Sequence, residues 1–97
     1  MKILKFKLMN KAGLHARPAA VFVREVKKLN NVQITIKKDD KIADAKNVLQ
    51  VLSLGADIGD EIEVIINGSS DDDENNAAKV IEKIIMEILP NLDGENK

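Results

Sequence analysis

In Val32-Gln33-Ile34-Thr35-Ile36-Lys37-Lys38-Asp39-Asp40-Lys41-Ile42-Ala43-Asp44, apolar Val32, Ile34 and Ile36 alternate with Gln33, Thr35 and Lys37. That is the period-two pattern of a strand with one face buried. The polar turn Lys38 to Lys41 follows, and a short strand through Ile42 and Asp44 completes a hairpin.

The segments on either side of this hairpin are helices and strands in turn. Upstream, Ala19, Phe22, Val23, Val26 and Leu29 recur at helical spacing behind Pro18, a residue tolerated in a first turn because its missing N–H costs little there. Before that helix, Leu4, Phe6 and Leu8 alternate with Lys5 and Lys7 in another strand, and Asn10-Lys11-Ala12-Gly13 reads as a loop. Downstream, Asn47 with Gln50 three residues later matches a capping box, and Gly55 suits the left-handed residue that closes the short helix between them. Ile62, Val64 and Ile66 alternate with Glu61, Glu63 and Ile65 in a fourth strand. Ser70 and Asp71 to Glu74 suit the positive end of a last helix, whose stripe is Ala77, Ile81, Ile84, Ile85 and Ile88 and which Pro90 is expected to stop. The order is β-α-β-β-α-β-α, and an antiparallel sheet with one polar face implies an α+β fold with helices on one side only.

The chain has 97 residues, 44% of them hydrophobic and 32% charged, enough for one globular domain and too few for two. That domain is expected over residues 1–90, with 91–97 a polar, frayed tail. No apolar run approaches the roughly 20 residues that span a bilayer, and lysines interrupt the first apolar residues, so a cytoplasmic protein without a signal peptide or membrane insertion is expected. With no cysteine there is no disulfide framework or zinc–cysteine site. Asp71 to Glu74 lacks the alternating ligands and central glycine of a calcium loop, so neither metal nor cofactor is expected. Residues 1–50 carry a charge balance of +8 and residues 51–97 one of −9. A positive half attracts phosphate, nucleic acid or an acidic surface. Nucleic acid is disfavoured, because two Phe and no Trp or Tyr give no platform for stacking bases.

The only histidine, His15, stands in Gly13-Leu14-His15-Ala16-Arg17-Pro18, just before the first helix. The first N–H groups of a helix have no acceptor within it and carry partial positive charge. An anion beside His15 is therefore expected to accept hydrogen bonds from the backbone of Ala16 and Arg17, Pro18 having no N–H to give. The Arg17 guanidinium suits bidentate contact with phosphate oxygens. A nucleophilic imidazole with an anion cradle is what phosphoryl transfer through a histidine requires. A lone histidine near a helix start is more often an ordinary surface residue; the glycine, arginine and proline at these offsets favour the functional reading.

Gly13-Leu14-His15-Ala16-Arg17-Pro18-Ala19-Ala20, with Ser53-Leu54-Gly55 some forty residues on, resembles HPr, the histidine-containing phosphocarrier of the bacterial phosphoenolpyruvate-dependent sugar phosphotransferase system. The likeness runs over nearly the whole chain. It implies an open-faced β-sandwich of four antiparallel strands with three helices on one face. It implies that His15 accepts a phosphoryl group on Nδ1 from enzyme I and passes it to a sugar-specific enzyme II, usually its A domain. Arg17 then stabilises the phosphoryl group, and such a carrier is a stoichiometric intermediate, not an enzyme. Gram-positive HPr proteins carry a regulatory serine after a lysine at the start of the second helix; here the pair is Lys46-Asn47, so that position has no hydroxyl to phosphorylate.

Val48, Leu49, Val51, Leu52 and Leu54 are more apolar residues than one side of so short a helix buries, so part of the second helix is expected to face a partner. Ala20, Arg24 and Lys27 lie opposite the Phe22/Val26 stripe and would give a flat cationic face. An ordinary solvated face accounts for Arg24 and Lys27 equally well. In the family the equivalent surface docks enzyme I and enzyme IIA, which makes Ala20, Arg24, Lys27, Val48, Leu49 and Leu52 the expected partner-binding residues of a monomer. The alternatives are a carrier in a regulatory, nitrogen-related or dihydroxyacetone kinase branch, or an interaction module that controls regulatory proteins.

Overall fold

A computed structural model describes residues 1–95. The elements follow the expected order: β1 (Lys2–Lys7), α1 (Ala16–Lys27), β2 (Val32–Lys38), β3 (Lys41–Asp44), α2 (Val48–Ser53), β4 (Glu61–Gly68) and α3 (Asp71–Lys83). The strands form one antiparallel sheet in the order β1-β4-β2-β3. Only β2 and β3 are hairpin-connected neighbours; their two-residue turn places Asp39 at φ 55, a conformation aspartate tolerates. The two central strands, β2 and β4, turn Val32, Ile34, Ile36, Ile62, Val64 and Ile66 toward the helices, all of them buried.

Register explains that assignment: Ile34 lies opposite Ile66 and Ile36 opposite Val64, so the apolar residues of both strands fall on one face. Ala19, Phe22, Val23 and Val26 of α1 and Ala77 and Ile81 of α3 close over them. Burial of a side chain such as Phe22, which is fully covered, is worth about 1.5–3 kcal/mol. The opposite face of the sheet is open and carries Lys5, Lys7, Glu61 and the exposed Ile3 and Ile42.

Helix ends are set as their sequences imply, with one difference. Ser70 Oγ accepts the Asp73 N–H at 3.1 Å, and Asn47 Oδ1 accepts the Gln50 N–H at 3.1 Å. The reciprocal half of the expected capping box is missing. Gln50 Oε1 accepts instead from the Asp44 N–H at 2.8 Å, tying α2 to the end of β3, while the Asn47 N–H is taken by the Asp44 carbonyl. Glu74, buried in the first turn of α3, accepts the Gly68 N–H at 2.9 Å and lies 3.0 Å from the Met1 ammonium. Those two contacts, the Gly68 N–H first, hold its carboxyl below the usual glutamate range.

The C-terminal segment corrects the expectation of a stop at Pro90 and a frayed tail from residue 91. Beyond Lys83 the helix widens into a π-helical turn over Ile84–Ile88 and continues as α4 (Leu89–Glu95). Pro90 thus sits in the first turn of α4, where a proline is tolerated, and the altered hydrogen-bond ladder lies directly ahead of it. Leu89 and Leu92 are buried in the core, which is the packing that keeps this segment helical. Asn96 and Lys97 of the expected tail lie outside the described residues.

Candidate functional site

Fully buried Leu8 and Leu14 anchor the two ends of the loop that leads to His15. Between them Asn10 folds inward and its Nδ2 donates to the Gly13 carbonyl at 2.8 Å, while the Gly13 N–H donates to the Asn10 carbonyl at 3.1 Å. From outside, the Lys11 N–H reaches both carboxylate oxygens of Asp93 on α4, at 3.2 and 3.0 Å. Gly13 has φ 56 and is packed against the α2–β4 loop. The Leu14 N–H then donates to the Ala56 carbonyl at 2.9 Å, joining the two loops through their backbones.

His15 is the N-cap of α1, extended at φ −111 and ψ 159, and its backbone N–H is held by the Ala12 carbonyl at 3.1 Å. Its side chain does not cap the helix. The ring instead projects outward, with 41% of the side chain exposed. Ala16 takes φ 47, a left-handed conformation that costs a residue with a Cβ roughly 1–2 kcal/mol. The chain turns abruptly there from an extended residue into the helix. Arg17 follows, exposed, in the first turn, and the amide dipoles of α1 point their positive end at this corner.

Asp57 Oδ1 lies 2.6 Å from His15 Nε2. The aspartate is itself held on both backbone atoms: its N–H donates to Asp60 Oδ2 at 2.8 Å, and its carbonyl accepts the Asp60 N–H at 3.0 Å. Lys38 Nζ sits 3.2 Å from Asp60 Oδ2 and donates to the Gly55 carbonyl at 3.1 Å, so one ammonium braces both ends of the loop. The Asp57 N–H first, and Lys38 second, lower the Asp60 carboxyl below the usual aspartate range. Nothing in the local pattern of Ala56-Asp57-Ile58-Gly59 marks Asp57, because the pair depends on how two loops meet; sequence reasoning missed it.

The other expected residues lie farther along α1 and on α2, with Lys27 at the opposite end of α1 from His15. Ala20, Val23, Arg24, Lys27 and Val48 line one shallow groove between α1 and α2. Leu49 is 75% exposed and Val48 37%, whereas Leu52 packs partly against the core and offers less of its surface than expected. Arg24 Nε and Lys28 Nζ approach Glu25 Oε2 at 3.3 and 3.0 Å; the Lys28 contact chiefly holds the Glu25 carboxyl below its usual range. Asn47 is exposed at the start of α2, and the Ser53 hydroxyl donates to the Gln50 carbonyl at 2.7 Å. Among the described residues no group of three or more His, Asp or Glu side chains is arranged to hold a metal ion, and no helix is long and apolar enough to cross a membrane.

A half-exposed histidine thus heads the first helix of an open-faced sandwich, and comparison with known proteins gives the class to which this fold belongs, that of the phosphocarriers. Residues 4–87 match the family model described as the PTS HPr component phosphorylation site. The phosphocarrier protein HPr of Treponema pallidum is 31% identical over 86 residues, covering 89% of this chain and 93% of the relative. The HPr-like protein Crh of Bacillus subtilis is 34% identical over 83 residues, covering 86% and 93%. The crystal structure of HPr from Thermoanaerobacter tengcongensis superimposes with a TM-score of 0.81 at 37% identity, over 89% of this chain and 92% of that one. The chain belongs to the HPr family of phosphocarriers.

Proposed function

We propose that this protein carries a phosphoryl group on Nδ1 of His15, taken from the phosphohistidine of enzyme I and delivered to the A domain of a sugar-specific enzyme II. The observation that carries this reading is the His15 ring itself, half exposed at the head of α1 and not spent on capping the helix. The Nδ1 lone pair attacks phosphorus, the P–N bond to the donor ring breaks, and the donor ring departs with that electron pair; delivery is the same exchange in reverse roles. Arg17 and the positive end of α1 face the charge of the migrating group and supply electrostatic stabilisation. The partners complete the site, so the chain acts stoichiometrically, as a cytoplasmic monomer.

Ala20, Arg24, Lys27, Val48, Leu49 and Leu52 form the docking surface in this reading, an apolar centre beside a basic rim along α1 and α2. Asn47 favours a second reading. With no hydroxyl at the start of α2, and with similarity to the HPr-like protein Crh, the carrier would serve a regulatory, nitrogen-related or dihydroxyacetone kinase branch. The test of the main reading is incubation with enzyme I, phosphoenolpyruvate and magnesium. An acid-labile label that vanishes in His15→Ala is expected; no label from a competent enzyme I refutes it.

A further inference from the structure

The geometry points to Asp57 as the positioning residue of His15: its carboxylate holds the Nε2 proton and so presents the Nδ1 lone pair to the incoming phosphoryl group. This rests on the carrier reading above and adds a residue that the histidine motif does not contain.

Three observations converge on it. Asp57 Oδ1 and His15 Nε2 are 2.6 Å apart, a charge-assisted hydrogen-bond distance, and the contact engages the ring nitrogen that does not take the phosphoryl group. A carboxylate accepts only, so the ring must donate from Nε2, which in neutral imidazole leaves Nδ1 as the nucleophile. Finally, both partners are fixed before they meet. His15 is held by Ala12 and by the Leu14–Ala56 backbone bond, and Asp57 is held on its N–H and carbonyl by Asp60, which Lys38 braces.

The fixing matters because both side chains are open to water, His15 at 41% and Asp57 at 68%. An exposed ion pair formed from two floppy side chains contributes little, since ordering them offsets the attraction. Here the backbones are already placed, and what remains to be ordered is a few side-chain torsions. The pair therefore acts on ring orientation and tautomer more than on folding stability.

The same contact favours the product of transfer. When Nδ1 bonds phosphorus and the donor nitrogen leaves with the P–N electrons, the Nε2 proton stays, and the ring becomes an imidazolium next to a carboxylate. No proton has to leave for the step to balance. Asp57 thus supports the phosphorylated state over the free one, and is not a catalytic base.

The test compares wild type, Asp57→Ala, Asp57→Asn and a remote control, Glu61→Ala, all with exposed side chains. Ring ¹⁵N NMR of the unphosphorylated protein is expected to show the Nε2–H tautomer in wild type and control and a mixture in Asp57→Ala. With phosphorylated enzyme I, Asp57→Ala should take the group about fivefold more slowly and hold a smaller equilibrium share, with Asp57→Asn between the two. An unchanged tautomer in Asp57→Ala overturns the proposal, as does an unchanged rate and equilibrium in a labelled protein. If wild type takes no label at all, the carrier reading fails, while the tautomer still settles whether Asp57 orients the ring.

Discussion

Gly13 lies so close to Ala56 that a Cβ on it would sit 2.4 Å from the Ala56 carbonyl oxygen and 2.8 Å from the Asp57 Cα. Both atoms belong to backbone, which cannot swing aside as a side chain would. With its φ of 56, the position combines a left-handed conformation with a contact only glycine permits. The loop before α1 and the loop after α2 meet here, and the His15–Asp57 pair is formed on their junction. Gly13→Ala is expected to destabilise the fold by roughly 3 kcal/mol and to separate the pair, since strain and overpacking add. Urea denaturation measures the first effect and the His15 ring resonances the second; a variant as stable as wild type would show that the loops have slack.

Ala16 gives the opposite expectation. Its φ of 47 strains a residue with a Cβ, so Ala16→Gly should raise stability, by about 0.5 kcal/mol once the greater freedom of unfolded glycine is offset. Thermal unfolding checks the sign, and a lowered midpoint would contradict the strain.

Asp60 ties the α2–β4 loop to Lys38, and its carboxyl is held below the ordinary aspartate value of 3.8 by the Asp57 N–H and by that ammonium. A carboxyl depressed in the folded state contributes stability that is present above its unfolded value and lost as pH falls through the folded one. Wild type should therefore exceed Asp60→Asn in stability at neutral pH, and the two should converge as the solution is made more acidic than the unfolded value. Denaturation curves across that range would expose a wrong sign as a gap that stays constant.

Asn47 caps α2 through the Gln50 N–H, and asparagine and serine cap equally well. Asn47→Ala should cost about 1 kcal/mol, whereas Asn47→Ser should leave stability close to wild type while adding the hydroxyl this position lacks. Incubation with ATP and the kinase that phosphorylates the family's regulatory serine is expected to leave wild type without phosphoserine. A stable phosphate on Ser53 would refute that.

The strands and the main helices were legible because burial imprints a period on them. Val32, Ile34 and Ile36 repeat at two residues, and Phe22, Val26 and Leu29 repeat at helical spacing; all are buried. The place of His15 at the head of α1 was legible through its neighbours, since glycine, arginine and proline each restrict the backbone or charge beside it. Asp57 was not: it is 42 residues from His15, and only the packing of two irregular loops brings them together. Gln50 was read as a reciprocal cap because the motif is local, yet Asp44 at the end of β3 offered its side chain a better-placed donor. Past Pro90 the local rule of helix termination yielded to the burial of Leu92, a tertiary effect that no window of a few residues contains.

The π-helical turn at Ile84–Ile88 sets the rotational phase of everything after it. Each residue advances an α-helix by about 100°, and a π turn accommodates one residue more than the regular ladder would. Were these same residues wound as a regular α-helix instead, Leu92 and Asp93 would swing by roughly a quarter-turn about the axis. The leucine would leave the interior, and the aspartate would lose its grip on the Lys11 amide. The wider turn, by absorbing one surplus residue, thus keeps the distant end of the helix in step with the loop that leads to His15.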